Sequence, residues 1–264
     1  MNRKRLDLAA LAVLAPVAAA VLFFALPLVG LVLRAPWGQF AEQLGSAPIR
    51  GALWLSLQCS LAAAALSLLL GLPLAAWLAR GAGWPRTAVR VLVTLPMILP
   101  PVVGGVAMLL AYGRRGIVGA PLEQWLGVTL PFTTGGVVLA ETYVAMPFFV
   151  LTVEAGLRSF DRRHEDVAAT LGARPWRTFW WVTVPMIAPS LRAGLVVAWA
   201  RALGEFGATI TFAGNLAGHT RTMPLAVYVA LESQPEAAIV LSLVLVLVSG
   251  AILFLLRHQW FPGR

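Results

Sequence analysis

Few residues in this chain could do chemistry, and their spacing rules out most familiar constellations. His164, His219 and His258 stand far apart without metal-ligand spacing. The single cysteine, Cys59, lies in an apolar run and cannot form an intrachain disulfide. No Ser/His/Asp grouping points to a nucleophile, and no G-x-x-x-x-G-K-S/T loop is present to cradle nucleotide phosphates. What remains is a small set of charges in apolar surroundings. Arg201 and Glu205 are four residues apart and so are expected on one helix face, Glu141 sits within LAETYVAMPF, and Glu154 comes later in the same run. One long charged stretch, EDVAATLGARPWRTFWWVTVP at 165–185, separates two apolar runs.

The elements that must position these groups can be read from composition. Of 264 residues, 59% are hydrophobic and only 12% charged, against about 45–50% and 25% in soluble domains. Six runs are long enough for a bilayer-crossing helix, which needs about 20 residues. They lie near 8–33, 52–79, 91–112, 135–157, 186–213 and 237–256. The expected fold is therefore all-α, a single six-helix transmembrane domain over 1–264. The first run comes after MNRKR but is too long for a signal h-region, so it reads as a retained helix, bent or tilted near Pro16 and Pro27. The third contains LPMILPPVVGG, whose prolines Pro96, Pro100 and Pro101 remove backbone donors. Such gaps are tolerated where neighbours or a cavity re-satisfy the backbone. The sixth run is the most uniformly aliphatic and is expected to face lipid most.

The net charge of +9 lies between apolar runs rather than in one basic domain, so nucleic acid is set aside. With the N-terminus inside, the inside segments hold 14 of the 20 Lys and Arg residues and the outside loops 5, with Arg201 in the fifth run. Positive charge accumulates on the cytoplasmic side of membrane proteins, so both termini are expected to be cytoplasmic. The loop at 158–185 is then the longest cytoplasmic one. Asp161 suits an N-cap, Val167 and Leu171 share a face, Gly172 suits a helix stop, and Pro175 a first turn. Two short helices with a glycine elbow result, the second presenting Trp176, Phe179, Trp180 and Thr183 on one face. Such a segment is either an interfacial helix held by tryptophans or a docking helix for a cytoplasmic partner.

The spacing in this loop resembles the EAA loop of ABC-importer permeases. Asp166, Val167 and Ala168 stand for the acid and two small residues, Gly172 lies six positions after the acid, and Val182-Thr183-Val184-Pro185 closes the motif. Asp replaces Glu and Val replaces the first Ala, both mild departures. The resemblance covers most of the chain. LPMILPPVVGG looks like the proline-rich third helix of oxyanion permeases, and ARALGEFGATITFAGNLAGHTRTMPLAVYVALE at 200–232 is similar to molybdate permeases. It implies a binding-protein-dependent permease in the cell membrane that imports molybdate or tungstate, with sulfate or thiosulfate as the alternative cargo.

The resemblance also implies partners: a second copy of the chain, two ATPase subunits carrying ATP-Mg, and an extracytoplasmic molybdate-binding protein. No cofactor is expected on this chain, nor bond-making catalysis. Asp166, Val167, Ala168, Gly172, Ala173 and Trp176 would dock the ATPase. Asn215, Gly218 and Arg221 would form the loop that meets the binding protein. Arg201 and Glu205 have two readings. One is a self-neutralising structural pair; the other places them beside the translocation path with Gly204, Gly207, Pro100 and Pro101. A charge at bilayer depth faces a bundle interior or aqueous cavity, and weak attraction by a half-cancelled Arg201 suits a conduit that must also release its ion. Glu141 is either a hydrogen-bonded packing residue or a proton relay. A proton-coupled carrier using Glu141 and Glu205 is the competing class, though such carriers often have internal repeats, and none stands out here.

Overall fold

The computed structural model describes residues 3–255 and is all-helical over them. In chain order the helices are α1 (Arg3–Leu33), α2 (Phe40–Gly45), α3 (Ala47–Ala79), α4 (Trp84–Ile98), α5 (Pro101–Tyr112), α6 (Gly119–Leu126) and α7 (Thr134–Ser159). They continue with α8 (Arg163–Thr170), α9 (Pro175–Thr178), a π turn (Phe179–Thr183), α10 (Val184–Met186), α11 (Ala188–Leu203), α12 (Gly207–Ala213), α13 (Met223–Ser233) and α14 (Pro235–Leu255). The MN start, the end of the sixth run at 256 and the tail after Arg257 lie outside the described residues.

Four helices are long and apolar enough to cross a bilayer alone: the Ala12–Leu33 part of α1, α3, α7 and the Pro235–Ile252 part of α14. Two of the six expected runs are not single helices. The 91–112 run breaks at Leu99–Pro100 into α4 and α5, because Pro100 and Pro101 have no N–H to donate to the preceding turn. The 186–213 run breaks at Gly204–Phe206 into α11 and α12. Its entry is also angled, with the Pro175–Met186 segment bent 73° from α11. Pro16 and Pro27 both lie within one helix, α1.

The core gathers on α3, α7 and α11. Ala63, Ala75, Leu78, Phe149, Val150, Val153, Ala198 and Ala202 form one buried cluster. Small residues let these helices approach: a Cβ on Gly71 would come 2.7 Å from the Phe149 ring. A second cluster joins α3 to α13 and α14 through Ile49, Met223, Val240 and Leu241. This overturns the expectation for the sixth run. α14 buries Ala238, Val240, Leu241, Leu243 and Val244, whereas α1 buries nothing across its spanning stretch and is the more exposed helix. Aliphatic uniformity does not distinguish lipid from protein as the neighbour, since both are apolar. The stretch 223–233, between the fifth and sixth apolar runs, is the helix α13.

Candidate functional site

At the end of the bundle where α7 finishes, the 158–185 segment folds as two short helices around a glycine. Arg162, not Asp161, holds the N-cap place before α8; the Asp161 carboxylate, one position earlier, accepts the Arg163 N–H at 3.0 Å. The stop of α8 is a Schellman pair: the Ala173 N–H donates to Ala168 O at 3.0 Å and the Gly172 N–H to Ala169 O at 2.9 Å. Gly172 has φ +81°, and a Cβ there would meet nothing within 4 Å. The glycine is therefore required by backbone conformation and not by crowding. Val167, Leu171, Trp176 and Trp181 are all exposed, an unusual apolar display for a segment outside the bundle.

The single face expected for the second helix does not survive. The π turn inserts an extra residue into the helical repeat and rotates the residues after it. Trp176 packs edge-on against Trp180 at 5.4 Å, while Thr178 and Thr183 turn inward and are buried. Asp166 is exposed; the acid that works structurally is its neighbour. One Glu165 carboxylate oxygen accepts the Thr183 hydroxyl at 2.6 Å and the Arg80 guanidinium at 3.2 Å. The sequence does not single out Glu165, because Arg80 is 85 residues away.

In the middle of the bundle the two broken helices meet. Arg201 and Glu205 form an ion pair at 2.7 Å, but not on one helix face as expected. Glu205 sits in the break between α11 and α12, fully buried, and its second oxygen accepts the Ala208 N–H at 2.8 Å. It thus neutralises Arg201 while satisfying an orphan donor in the first turn of α12. Gly207 abuts α5: a Cβ would lie 2.8 Å from Pro101 Cβ. A Cβ on Gly105 of α5 would likewise lie 2.6 Å from Thr211 Cβ. Gly207, Pro100 and Pro101 are thereby brought to one place beside the Glu205 break. Gly204 faces the other way, onto a cavity of ≈ 410 Å³ with Phe206 and Tyr228.

Two further carboxylates lie in α7. Glu154, near the 158–185 segment, receives Arg90 of α4 at 2.6 Å and Arg158 of its own helix at 2.9 Å. The Arg158 partner is legible as an i, i+4 pair; Arg90, 64 positions away, is not. Glu141 is buried, with one oxygen lacking a hydrogen-bond partner. At the opposite end of α7, the 214–222 loop is internally braced. Arg221 donates to the Asn215 side chain at 2.8 Å, Gly218 has φ +78°, and Thr134 donates to His219 O at 2.9 Å.

Residues 67–263 match the family described as binding-protein-dependent transport system inner membrane component. The chain belongs to this family. As a permease it resembles the molybdenum transport system permease protein ModB of Mycobacterium tuberculosis, with 44% identity over 237 residues, 90% of this chain and 89% of the relative. The Haemophilus influenzae and Escherichia coli ModB proteins are 40% and 38% identical, each spanning over nine-tenths of the relative and almost four-fifths of this chain. Among solved structures, the permease fold matches a chain of a bacterial ABC transporter importing the acidic polysaccharide alginate. The TM-score is 0.74 at 20% identity, covering 97% of this chain and 96% of that one. A chain of the MetNI methionine transporter matches at TM-score 0.61 and 18% identity, covering 83% of this chain and all of that one.

Proposed function

We propose that this permease forms the transmembrane pathway of an ATP-driven importer that carries molybdate, and the similar tungstate ion, into the cytoplasm. The observation that carries the reading is the identity of 38–44% to permeases named for molybdenum transport, along most of both chains. ATP-Mg is bound and hydrolysed on a separate subunit, two of which dock against Asp166, Val167, Ala168, Gly172, Ala173 and Trp176. The rigid Gly172 elbow and the exposed Val167, Leu171 and Trp176 support that assignment, because an apolar patch outside the bundle needs a covering partner. A substrate-loaded binding protein meets the opposite end near Asn215, Gly218 and Arg221.

The chain crosses the membrane six times as one transmembrane domain, two crossings being built of half-helices, with both termini cytoplasmic by the distribution of Lys and Arg. The pathway forms between two copies of the chain. α5 supports this, because it holds α12 on one face and leaves Val102, Val103, Val106 and Leu110 exposed on another. Arg201, Glu205, Gly207, Pro100 and Pro101 lie beside the path, with Gly204 on the other side of the break. Arg201 keeps 30% of its side chain exposed while Glu205 is buried beneath it, so a passing oxyanion meets the cation first.

Uptake into proteoliposomes holding this chain, its ATPase subunit and its binding protein tests the reading. ATP-dependent molybdate uptake that excess sulfate hardly competes is expected. Sulfate uptake at equal rate would move the cargo, and uptake driven by a proton gradient without the ATPase would overturn the class.

A further inference from the structure

The docking loop is joined by the chain to α7 and α10–α11, yet its polar contacts reach a third helix to which it has no close covalent link. Three guanidinium groups and one carboxylate converge on the last turn of α3. Arg158 donates to Leu78 O at 3.3 Å and Arg162 to Ala79 O at 3.2 Å. These carbonyls belong to the helix C-terminus, which lacks intrahelical donors and carries partial negative charge. Arg80, the next residue, donates to Glu165 at 3.2 Å and lies 5.5 Å over the Phe179 ring. Glu165 at once accepts the buried Thr183 hydroxyl. One carboxylate therefore ties both halves of the loop, α8 and the π turn, to the end of α3.

α3 reaches far from that end. Its 33 residues span about 50 Å at 1.5 Å per residue. Along the way Ser60 accepts the Trp199 indole N–H of α11 at 3.0 Å. Ser56 accepts the Met223 N–H at 2.6 Å, where α13 begins. From this geometry we infer that Glu165 is a positioning residue for transport: it clamps the docking loop to Arg80, so that loop displacement is delivered to α3. The inference rests on the reading of 158–185 as the ATPase-docking loop. Glu165 acts on the inner side of that loop, whereas Asp166 faces outward.

The test uses the complete complex of permease, ATPase subunit and binding protein in proteoliposomes, reading molybdate imported per ATP hydrolysed and the amount of ATPase subunit that copurifies. In Glu165→Gln the ATPase subunit is expected to stay bound in wild-type amount, while molybdate per ATP falls at least about fivefold, the lower end of usual coupling between sites. Thr183→Val, a milder change that keeps the charge pair, should shift the ratio in the same direction. The exchange Arg80→Glu with Glu165→Arg should recover roughly half or more of the lost ratio, as interacting pairs do when complemented. An unchanged ratio in both single variants, or an exchange no better than the worse single variant, would overturn the clamp. Loss of the ATPase subunit from Glu165→Gln would also overturn it, by placing Glu165 in the docking contact. The docking reading fails separately if Asp166→Arg keeps the ATPase subunit and full uptake.

Discussion

Gly207 lies so close to Pro101 that a methyl group on it would stand 2.8 Å from the proline Cβ, with the Val102 backbone nitrogen at 3.3 Å. The two interrupted helices are thus locked together just past their breaks. Neither neighbour is the end of a flexible side chain, so the contact cannot yield cheaply.

Gly207→Val is accordingly expected to destabilise the permease by about 1–3 kcal/mol, the usual penalty of overpacking, and to abolish uptake. Gly204→Ala is the control: its Cβ would meet only Ala200 O at 3.7 Å, an ordinary contact. Thermal unfolding in detergent and vesicle uptake should separate the two. Equal behaviour would mean that α5 and α12 are not closely packed.

Glu205→Ala removes the partner of Arg201 and the cap of α12 together, and breaking a buried pair by removing one partner costs about 3–5 kcal/mol. Arg201→Ala leaves Glu205 buried with only the Ala208 N–H. It should impair uptake or folding more than Arg86→Ala, whose guanidinium lies on Trp77 at 4.9 Å at the exposed surface. Uptake and membrane abundance of the three variants decide the point; equal effects would leave the Arg201–Glu205 pair without a special role.

Asp166→Arg reverses a charge in the first turn of α8, which costs the helix only about 0.3–1 kcal/mol. Gly172→Trp adds bulk into open space, and its φ of +81° strains any side chain there by about 1–2 kcal/mol. Neither should remove the protein from the membrane. Both should abolish transport and release the ATPase subunit on copurification; retention of both functions would mean that this face docks nothing.

Glu154 accepts from two guanidinium groups and is 5% exposed, while Arg90 and Arg158 are 33% and 48% exposed. The expected order of destabilisation is Glu154→Ala, then Arg90→Ala, then Arg158→Ala. The carboxylate loses the most burial; Arg90 reaches both Glu154 oxygens and ties α4 to α7, whereas Arg158 gives Glu154 one bond within α7 and reaches α3 only through Leu78 O at 3.3 Å. Melting temperatures of the three variants check the order.

The membrane class, the apolar runs and the glycine elbow of the 158–185 segment were all legible in the sequence, for a common reason. Hydropathy over about 20 residues, an Asp before a helix and a glycine at its end are local signals, read within one or two turns. The Arg158–Glu154 pair was legible for the same reason. Tertiary structure decided the rest. Whether a proline-rich run stays whole or breaks depends on what re-satisfies its backbone, and here α12 packs against α5. That Glu205 caps a helix start instead of sharing a face with Arg201 depends on the chain breaking at Gly204–Phe206, a break spacing alone does not announce. That α14 is covered is not legible in the sequence, because lipid and a neighbouring helix look alike to an aliphatic side chain. The partners of Glu154 and Glu165 on α4 and after α3 come from residues 64 and 85 positions away. A charge in the sequence declares that it needs a partner in an apolar surrounding; only the packing of helices distant along the chain determines which partner it finds.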